Sequence, residues 1–67
     1  MKLINNLKEV RQTKNLRQED LAGQVGVTRQ TIIAIEKGNY TPSVLLALRL
    51  AGSLQCTVED LFYEKSG

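Results

Sequence analysis

The chain has 67 residues, enough for one domain, and its 42% apolar and 24% charged residues are typical of a globular protein rather than a disordered one. One cysteine and no histidine exclude an internal disulfide and a His/Cys metal site, so a partner subunit is the remaining stabiliser of so small a domain. Without a bilayer-spanning apolar run or a signal peptide, we expect a cytoplasmic homodimer that has no metal and no cofactor. The net charge of +2 supports an anionic partner only weakly, although residues 1–16 alone carry +3.

Short helices with clear start and stop signals are predicted along the chain. The first covers about residues 6–14. The second begins near Gln18, with two acidic residues in its positive first turn, and ends at Gly26, which tolerates a left-handed backbone. The third begins after Thr28, a good N-cap residue, and its Ile32 is expected to face the core.

The second half of the chain predicts two more helices and a ribbon. Thr41 is expected to cap the fourth helix, with Pro42 at its first position, and its apolar stripe comprises Val44, Leu45, Leu48 and Ala51. Thr57 and Asp60 have the spacing of a capping box for a short fifth helix. Residues 2–5 and 61–64 have the composition of short strands and predict a two-stranded ribbon that joins the chain ends.

Residues 18–36 have the pattern of two short helices that meet at a tight turn. Gly26 lies between them, and the small Ala22 lets the two backbones approach closely. The outer side of the second helix of the pair offers donors, acceptors and methyl groups, and none of its side chains is acidic. A helix that reads the major groove of DNA needs this chemistry on its first turns. The pattern therefore predicts a helix-turn-helix at about residues 18–36.

Nearly the whole chain resembles the helix-turn-helix domain of the lambda and 434 repressor and Cro family, also called the XRE family. The resemblance is strongest to small stand-alone regulators typified by the cytolysin operon repressor, through the segments Asn5-Asn6-Leu7-Lys8, Arg29-Gln30-Thr31-Ile32, Ile35-Glu36-Lys37, Tyr40-Thr41-Pro42-Ser43 and Leu46-Ala47-Leu48. It implies one all-α domain of five helices over residues 1–67, with a small terminal β-ribbon. It also implies a dimer that binds double-stranded DNA.

The sequence departs from this family at Arg17, where a serine or threonine usually caps the second helix. Arginine cannot accept the N-cap hydrogen bond, so we expect some loss of capping. The expected gain is a cation beside a DNA phosphate.

Given the resemblance, Arg29 and Gln30 are the candidate base readers. Arginine pairs bidentately with guanine, and glutamine pairs bidentately with adenine. Gln18, at the positive end of the second helix, is a candidate phosphate contact. The alternative for each of them is an ordinary exposed side chain. Thr28 and Thr31, at the start of the third helix, are further candidate DNA contacts.

Three further residues near the third helix are candidate DNA contacts. Ile33 is expected to face outward, either against a thymine methyl group or as a half-buried packing residue. Asn39 and Tyr40 follow the helix and are candidate contacts to backbone phosphate. The alternative for Tyr40 is a packing aromatic.

Two groups of residues are assigned structural roles. The resemblance implies that Arg11 and Glu36 form an ion pair that ties the first helix to the third. For the homodimer we predict an apolar surface patch of Val58 and Leu61, which lie three residues apart on the fifth helix, with Thr41 nearby.

These observations predict a sequence-specific transcriptional regulator, specifically a repressor, that binds an inverted-repeat operator with its third helix in the major groove. The alternative is an antitoxin that binds a toxin protein and regulates its own operon, although little of the chain is left to wrap a toxin. An enzyme is disfavoured because the sequence has no histidine, no glycine-rich phosphate loop and no nucleophile–base pair. No small-molecule effector site is evident.

Overall fold

The computed structural model describes residues 2–66 and confirms five helices with a terminal ribbon. In chain order the elements are β1 (Lys2–Asn5), α1 (Leu7–Thr13), α2 (Gln18–Val25), α3 (Arg29–Glu36), α4 (Val44–Leu54), α5 (Val58–Leu61) and β2 (Phe62–Lys65). Among the described residues, no helix has both the length and the apolar character that crossing a membrane requires.

The ribbon joins the two ends of the described chain. β1 and β2 are antiparallel, with Lys2 opposite Lys65 and Asn5 opposite Phe62. Next to the ribbon, the backbone N–H of Asn6, the residue before α1, donates to the carbonyl of Leu61 at the end of α5 at 2.7 Å. The Asn5 side-chain amide of β1 donates to the carbonyl of Ile35 at 3.0 Å. The ribbon is therefore bonded directly to the last turn of α3.

One cluster of buried side chains holds the helices together. Its members come from all five helices and are Leu7, Leu21, Ala22, Val25, Ile32, Ile35, Leu46, Leu50, Ala51, Leu54 and Leu61. Fully burying one such leucine or isoleucine contributes about 1.5–3 kcal/mol. Ala22 of α2 is only 3% exposed, and α2 packs on α3.

The turn between α2 and α3 follows from two local signals in the sequence. Gly26 adopts a left-handed conformation with φ of 78°, which ends α2 at little steric cost. Thr28 then adopts an extended backbone, and its hydroxyl accepts a hydrogen bond from the N–H of Thr31 at 3.3 Å. The two helices are thus set across a short turn that holds the start of α3 at the surface.

The predicted start of α4 is wrong by two residues. Ser43, rather than Thr41, is the N-cap, and its hydroxyl accepts from the N–H of Leu46 at 3.1 Å. Pro42 therefore precedes the cap instead of occupying the first helical position. Both threonine and serine are good N-caps, and the residue before a proline is held in an extended conformation in either case, so the local sequence fits both alternatives.

Replacing Ser43 by alanine is expected to lower the free energy of unfolding by about 1 kcal/mol, because the N–H of Leu46 loses its acceptor. Thr41→Ala is the matched control, since it removes a hydroxyl that does not cap the helix. Urea unfolding of both variants at equal concentration measures the difference. An equal loss in the two variants would contradict the assignment of Ser43 as the cap.

The predicted apolar stripe of α4 is also largely wrong. Of its four residues only Ala51 is buried, whereas Val44, Leu45 and Leu48 are exposed. The buried side of the helix comprises Leu46, Ala47, Leu50, Ala51 and Leu54. Because apolar residues occupy nearly every position at the start of this helix, their spacing alone does not distinguish its inner side from its outer side.

α2 and α5 begin with the same carboxylate contact. Asp20 accepts a hydrogen bond from the backbone N–H of Arg17 at 3.0 Å, and Asp60 accepts one from the backbone N–H of Thr57 at 3.0 Å. In each case this backbone hydrogen bond is the main reason why the pKa of the aspartate lies below its usual value. Thr57 also accepts from the N–H of Asp60, which completes the predicted capping box.

The fold is therefore expected to lose stability as the pH falls below the usual aspartate pKa of about 4. A carboxyl group with a lower pKa in the folded state stabilises the fold above its unfolded-state pKa. That contribution disappears as the pH falls through the folded-state pKa. Asp60→Asn is the test, because the amide oxygen still accepts from Thr57 but does not titrate. Urea unfolding from about pH 7 to about pH 2 should show a weaker acid dependence in the variant than in the wild type. Equal dependence would contradict a role for Asp60.

Candidate nucleic-acid interface

The outer side of α3 presents the predicted base-reading residues. Ile32 and Ile35 are buried beneath the helix, which places Arg29 and Gln30 in solvent at its first turn. Among the described residues, neither of these two side chains forms a hydrogen bond or an ion pair. Ile33 is half-buried, as the packing alternative requires. The helix thus offers a guanidinium and an amide to a ligand.

A cationic cleft lies beside the start of α3. Its volume is about 410 Å³, and it is lined by Arg11, Arg17, Gln18, Glu19 and Arg29. Of its three arginines, Arg11 is paired with Glu36 and Arg17 with Glu19 and Asp20. Arg29 is therefore the guanidinium that this cleft offers to an anion such as a backbone phosphate. The cleft brings together Gln18 and Arg29, which the sequence predicts as DNA contacts.

A buried polar network forms the inner wall of this cleft. Arg11 donates through Nε to Glu36 Oε2 at 2.7 Å and through Nη2 to Oε1 at 3.3 Å. The Arg11 and Glu36 side chains are only 9% and 4% exposed. A further bond from Arg11 Nη1 to the carbonyl of Leu16 at 2.8 Å ties in the α1–α2 connection. The ion pair therefore connects α1, the following connection and the last turn of α3.

Gln18 belongs to the same network, which the sequence did not predict. Its Nε2 donates to Glu36 Oε1 at 3.0 Å. Since the acceptor is a carboxylate, this contact fixes which end of the amide points inward. The second N–H of the same nitrogen remains available to an anion in the cleft. Glu36 therefore positions Gln18 as well as balancing Arg11.

Arg17 forms two ion pairs at the start of α2 that its sequence position does not predict. Its Nε donates to Asp20 at 3.2 Å, and its Nη1 lies 3.2 Å from Glu19. The bond to Asp20 is also the main reason why the pKa of Arg17 is raised. No side chain caps α2 at this position, as expected for arginine. Its charge is therefore largely balanced within the start of its own helix.

A second, less polar recess lies on the opposite side of α3. It is lined by Val27, Gln30, Thr31, Ala34, Tyr40 and Leu46. The Tyr40 side chain is 46% exposed, and the Thr28 and Thr31 hydroxyls lie 3.1 Å apart at the helix start. Asn39 is exposed beside Tyr40. Three of the predicted contact residues, Gln30, Thr31 and Tyr40, thus line this recess. Ala34, which was left out of the predicted site, is half-buried and lines it as well.

The predicted dimer patch requires a correction. Leu61 is 0% exposed and belongs to the core of its own subunit, so the prediction that it forms a surface patch with Val58 is wrong. Val58 is half-buried and Thr41 is exposed. Val58 and Leu61 are both on α5, three residues apart, but α4 and the rest of the core already cover Leu61.

Comparison with known proteins identifies the family. The helix-turn-helix family model HTH_3 matches residues 7–61, a range that includes all five helices. An uncharacterised HTH-type transcriptional regulator of Methanocaldococcus jannaschii is 55% identical over 58 residues, which are 87% of this chain and 88% of the relative. YgzD, an uncharacterised HTH-type transcriptional regulator of Bacillus subtilis, is 49% identical over 59 residues, which are 88% and 89% of the two chains.

A solved structure agrees with these relatives. The restriction-modification controller protein C.AhdI from Aeromonas hydrophila superposes with a TM-score of 0.79 at 36% identity, covering 84% of this chain and 85% of that one. The clp gene regulator ClgR from Corynebacterium glutamicum has the same fold, with a TM-score of 0.77 at 24% identity over 81% of this chain and 57% of its own. The chain therefore belongs to the HTH_3 family of helix-turn-helix, DNA-binding transcriptional regulators of the XRE type.

Proposed function

We propose that this protein is a repressor that binds an inverted-repeat operator as a homodimer, with α3 of each subunit in the major groove. One observation carries the assignment of α3: its first turn presents Arg29 and Gln30 in solvent, beside the cationic cleft and the less polar recess. Each bidentate contact of these side chains with its base would contribute about 1–3 kcal/mol of discrimination.

The remaining predicted residues are proposed to hold α3 in the groove. Gln18, fixed by Glu36, donates its second N–H to a phosphate in the cationic cleft. Asn39 and Tyr40 contact the backbone from the other side of the helix. The Thr28 and Thr31 hydroxyls and the Ile33 side chain contact base edges or sugars near Arg29 and Gln30. In this arrangement the backbone contacts set the position and the first turn of α3 sets the sequence.

Dimerisation follows from the small footprint of one recognition helix. One helix of this length reads only a few base pairs, too few to select a site in a genome. A two-fold dimer doubles the footprint and requires half-sites about 34 Å apart. Of the residues predicted at the interface, Thr41 and Val58 remain candidates because neither is fully buried within the subunit.

Repression requires only that the dimer occupies a promoter and blocks access to it, so it needs no surface beyond the one that binds DNA. The relatives come from bacteria and archaea, whose DNA lies in the cytoplasm, and we place this protein there. We propose no enzymatic activity and no small-molecule effector. No observation on residues 2–66 favours the antitoxin alternative, and we do not propose it.

Selection of bound fragments from random double-stranded DNA tests the proposal. The expected result is an inverted repeat with half-site centres about one helical turn apart. Transcription in vitro from a promoter that carries the selected site should then fall when the protein is added. Absence of any enriched sequence would refute sequence-specific binding, and increased transcription would refute repression.

A further inference from the structure

α4 has an apolar side that no other element between residues 2 and 66 covers. Val44 is 78% exposed, and Leu45 and Leu48 are each 58% exposed. The three lie within the first two turns of the helix, and Leu48 is three and four residues from the other two, so they are neighbours on its surface. We call these three residues the α4 apolar face.

The opposite side of α4 is already fully packed. Leu50 and Leu54 are 0% exposed, and the helix contacts both α2 and α5. The α4 apolar face is therefore separate from the side of the helix that packs into the core. The first turns of α4 are apolar on all sides, and a helix of that kind is normally buried on all sides. One side of α4 lacks a partner within the described chain.

The charge distribution favours a second copy of this chain as that partner. A two-fold contact brings a surface against itself, so a charge close to the axis meets its own copy. Residues 39–48 contain no charged side chain. The next charged residue, Arg49, is exposed beside the face and lines a groove between α4 and α2, so it lies at the margin of the contact. The exposed apolar residues of the ribbon lie in a different environment: Leu3 is opposite Glu64, and Lys2 is opposite Lys65. The α4 apolar face is thus well suited to contact the same face of a second copy of the chain.

We propose that the α4 apolar face packs against the same face of a second copy and forms the centre of a two-fold interface. The inference rests on the proposed function and supplies the position of its symmetry axis. Residues 37–43 connect α3 directly to α4, so an axis beside the start of α4 fixes the separation of the two recognition helices.

The size of the subunit is consistent with this contact. A stable interface buries about 800 Å² on each partner. That is about a fifth of the subunit surface of 4485 Å². Three large aliphatic side chains form only the centre of such an area, which leaves room for Thr41 and Val58 at its margin. A small apolar centre with a more polar margin is the usual anatomy of such interfaces.

Sedimentation of the full chain, with and without Leu48→Lys, tests the interface. Leu3→Lys is the matched control, because it places the same charge at an aliphatic residue that is 48% exposed on the ribbon. We expect wild type and Leu3→Lys to sediment as dimers at micromolar concentration. Leu48→Lys should sediment as a monomer, with a dimerisation constant weakened by about a hundredfold or more. Val44→Lys is the second variant, and circular dichroism checks that each protein is folded.

The outcomes separate the interface from the DNA-binding function. A monomeric wild type, or a folded Leu48→Lys variant that remains dimeric, would overturn the interface. Binding of wild type to the selected operator is measured alongside. If wild type dimerises through this face but binds no DNA sequence preferentially, the proposed function fails while the interface stands. If wild type binds an operator as a monomer, the interface fails while DNA binding stands.

Discussion

Replacing Arg11 by alanine should lower the free energy of unfolding by about 3–5 kcal/mol. The side chain of Glu36 is only 4% exposed and would lose both of its hydrogen bonds from the guanidinium. The carboxylate would then be buried with only Gln18 as a donor. A domain of this size has a total stability of roughly 3–10 kcal/mol, so the variant is expected to be close to unfolded at room temperature. Urea and thermal unfolding measure the loss.

Lys8→Ala is the matched control for this prediction. It removes a cationic side chain from the same helix at an exposed position, so its effect should stay within about 0.5 kcal/mol. The double variant Arg11→Met, Glu36→Gln should recover much of the loss, because it removes the buried charge. A loss below about 1 kcal/mol in Arg11→Ala would contradict the structural role assigned to the pair.

The second large effect concerns sequence discrimination. Arg29→Ala and Gln30→Ala should each weaken binding to the selected operator by about 1–3 kcal/mol, or roughly 5- to 150-fold, while leaving binding to unrelated DNA nearly unchanged. Both side chains point into solvent and are not engaged within the subunit, so the fold should be unaffected. Titration of each variant with operator DNA and with scrambled DNA at fixed salt concentration measures the two affinities.

Two other variants make the interpretation specific. Arg49→Ala removes an exposed arginine from α4, beside the α2–α4 groove, and should leave the preference for the operator unchanged. Gln18→Ala should weaken operator and scrambled DNA equally, because its proposed partner is a phosphate. If Arg29→Ala behaves as Gln18→Ala does, Arg29 contacts the backbone and the assignment of base readout to it is wrong.

Local chemistry explains why much of the fold was predictable. Glycine at the α2–α3 turn, threonine before α3 and the Thr57–Asp60 capping box act within a few residues of the chain, and the structure contains all three. The surface of α3 was predictable for a related reason. Once Ile32 and Ile35 are assigned to the core, the helical period places Gln30 on the outside.

Contacts between distant segments explain the errors. The local sequence pattern does not show which of Val58 and Leu61 is buried. In the fold, the rest of the core covers only Leu61 completely. The hydrogen bond from Gln18 to Glu36 joins residues 18 positions apart, and the sequence around either residue does not indicate it. On α4, apolar residues on every side leave the buried side undetermined until α2 and α5 are in place.

The terminal ribbon has a consequence for the order of folding. Its partners come from opposite ends of the chain, so pairing them in an unfolded chain closes a loop of nearly the whole sequence before any other contact offsets the entropy lost. The helices, by contrast, form from contacts that are close along the chain. The ribbon is thus a late element, whose formation depends on the helical core first bringing Asn6 and Leu61 together. Local opening of the native protein should begin at the same place, with the strands separating while α2 and α3 remain folded.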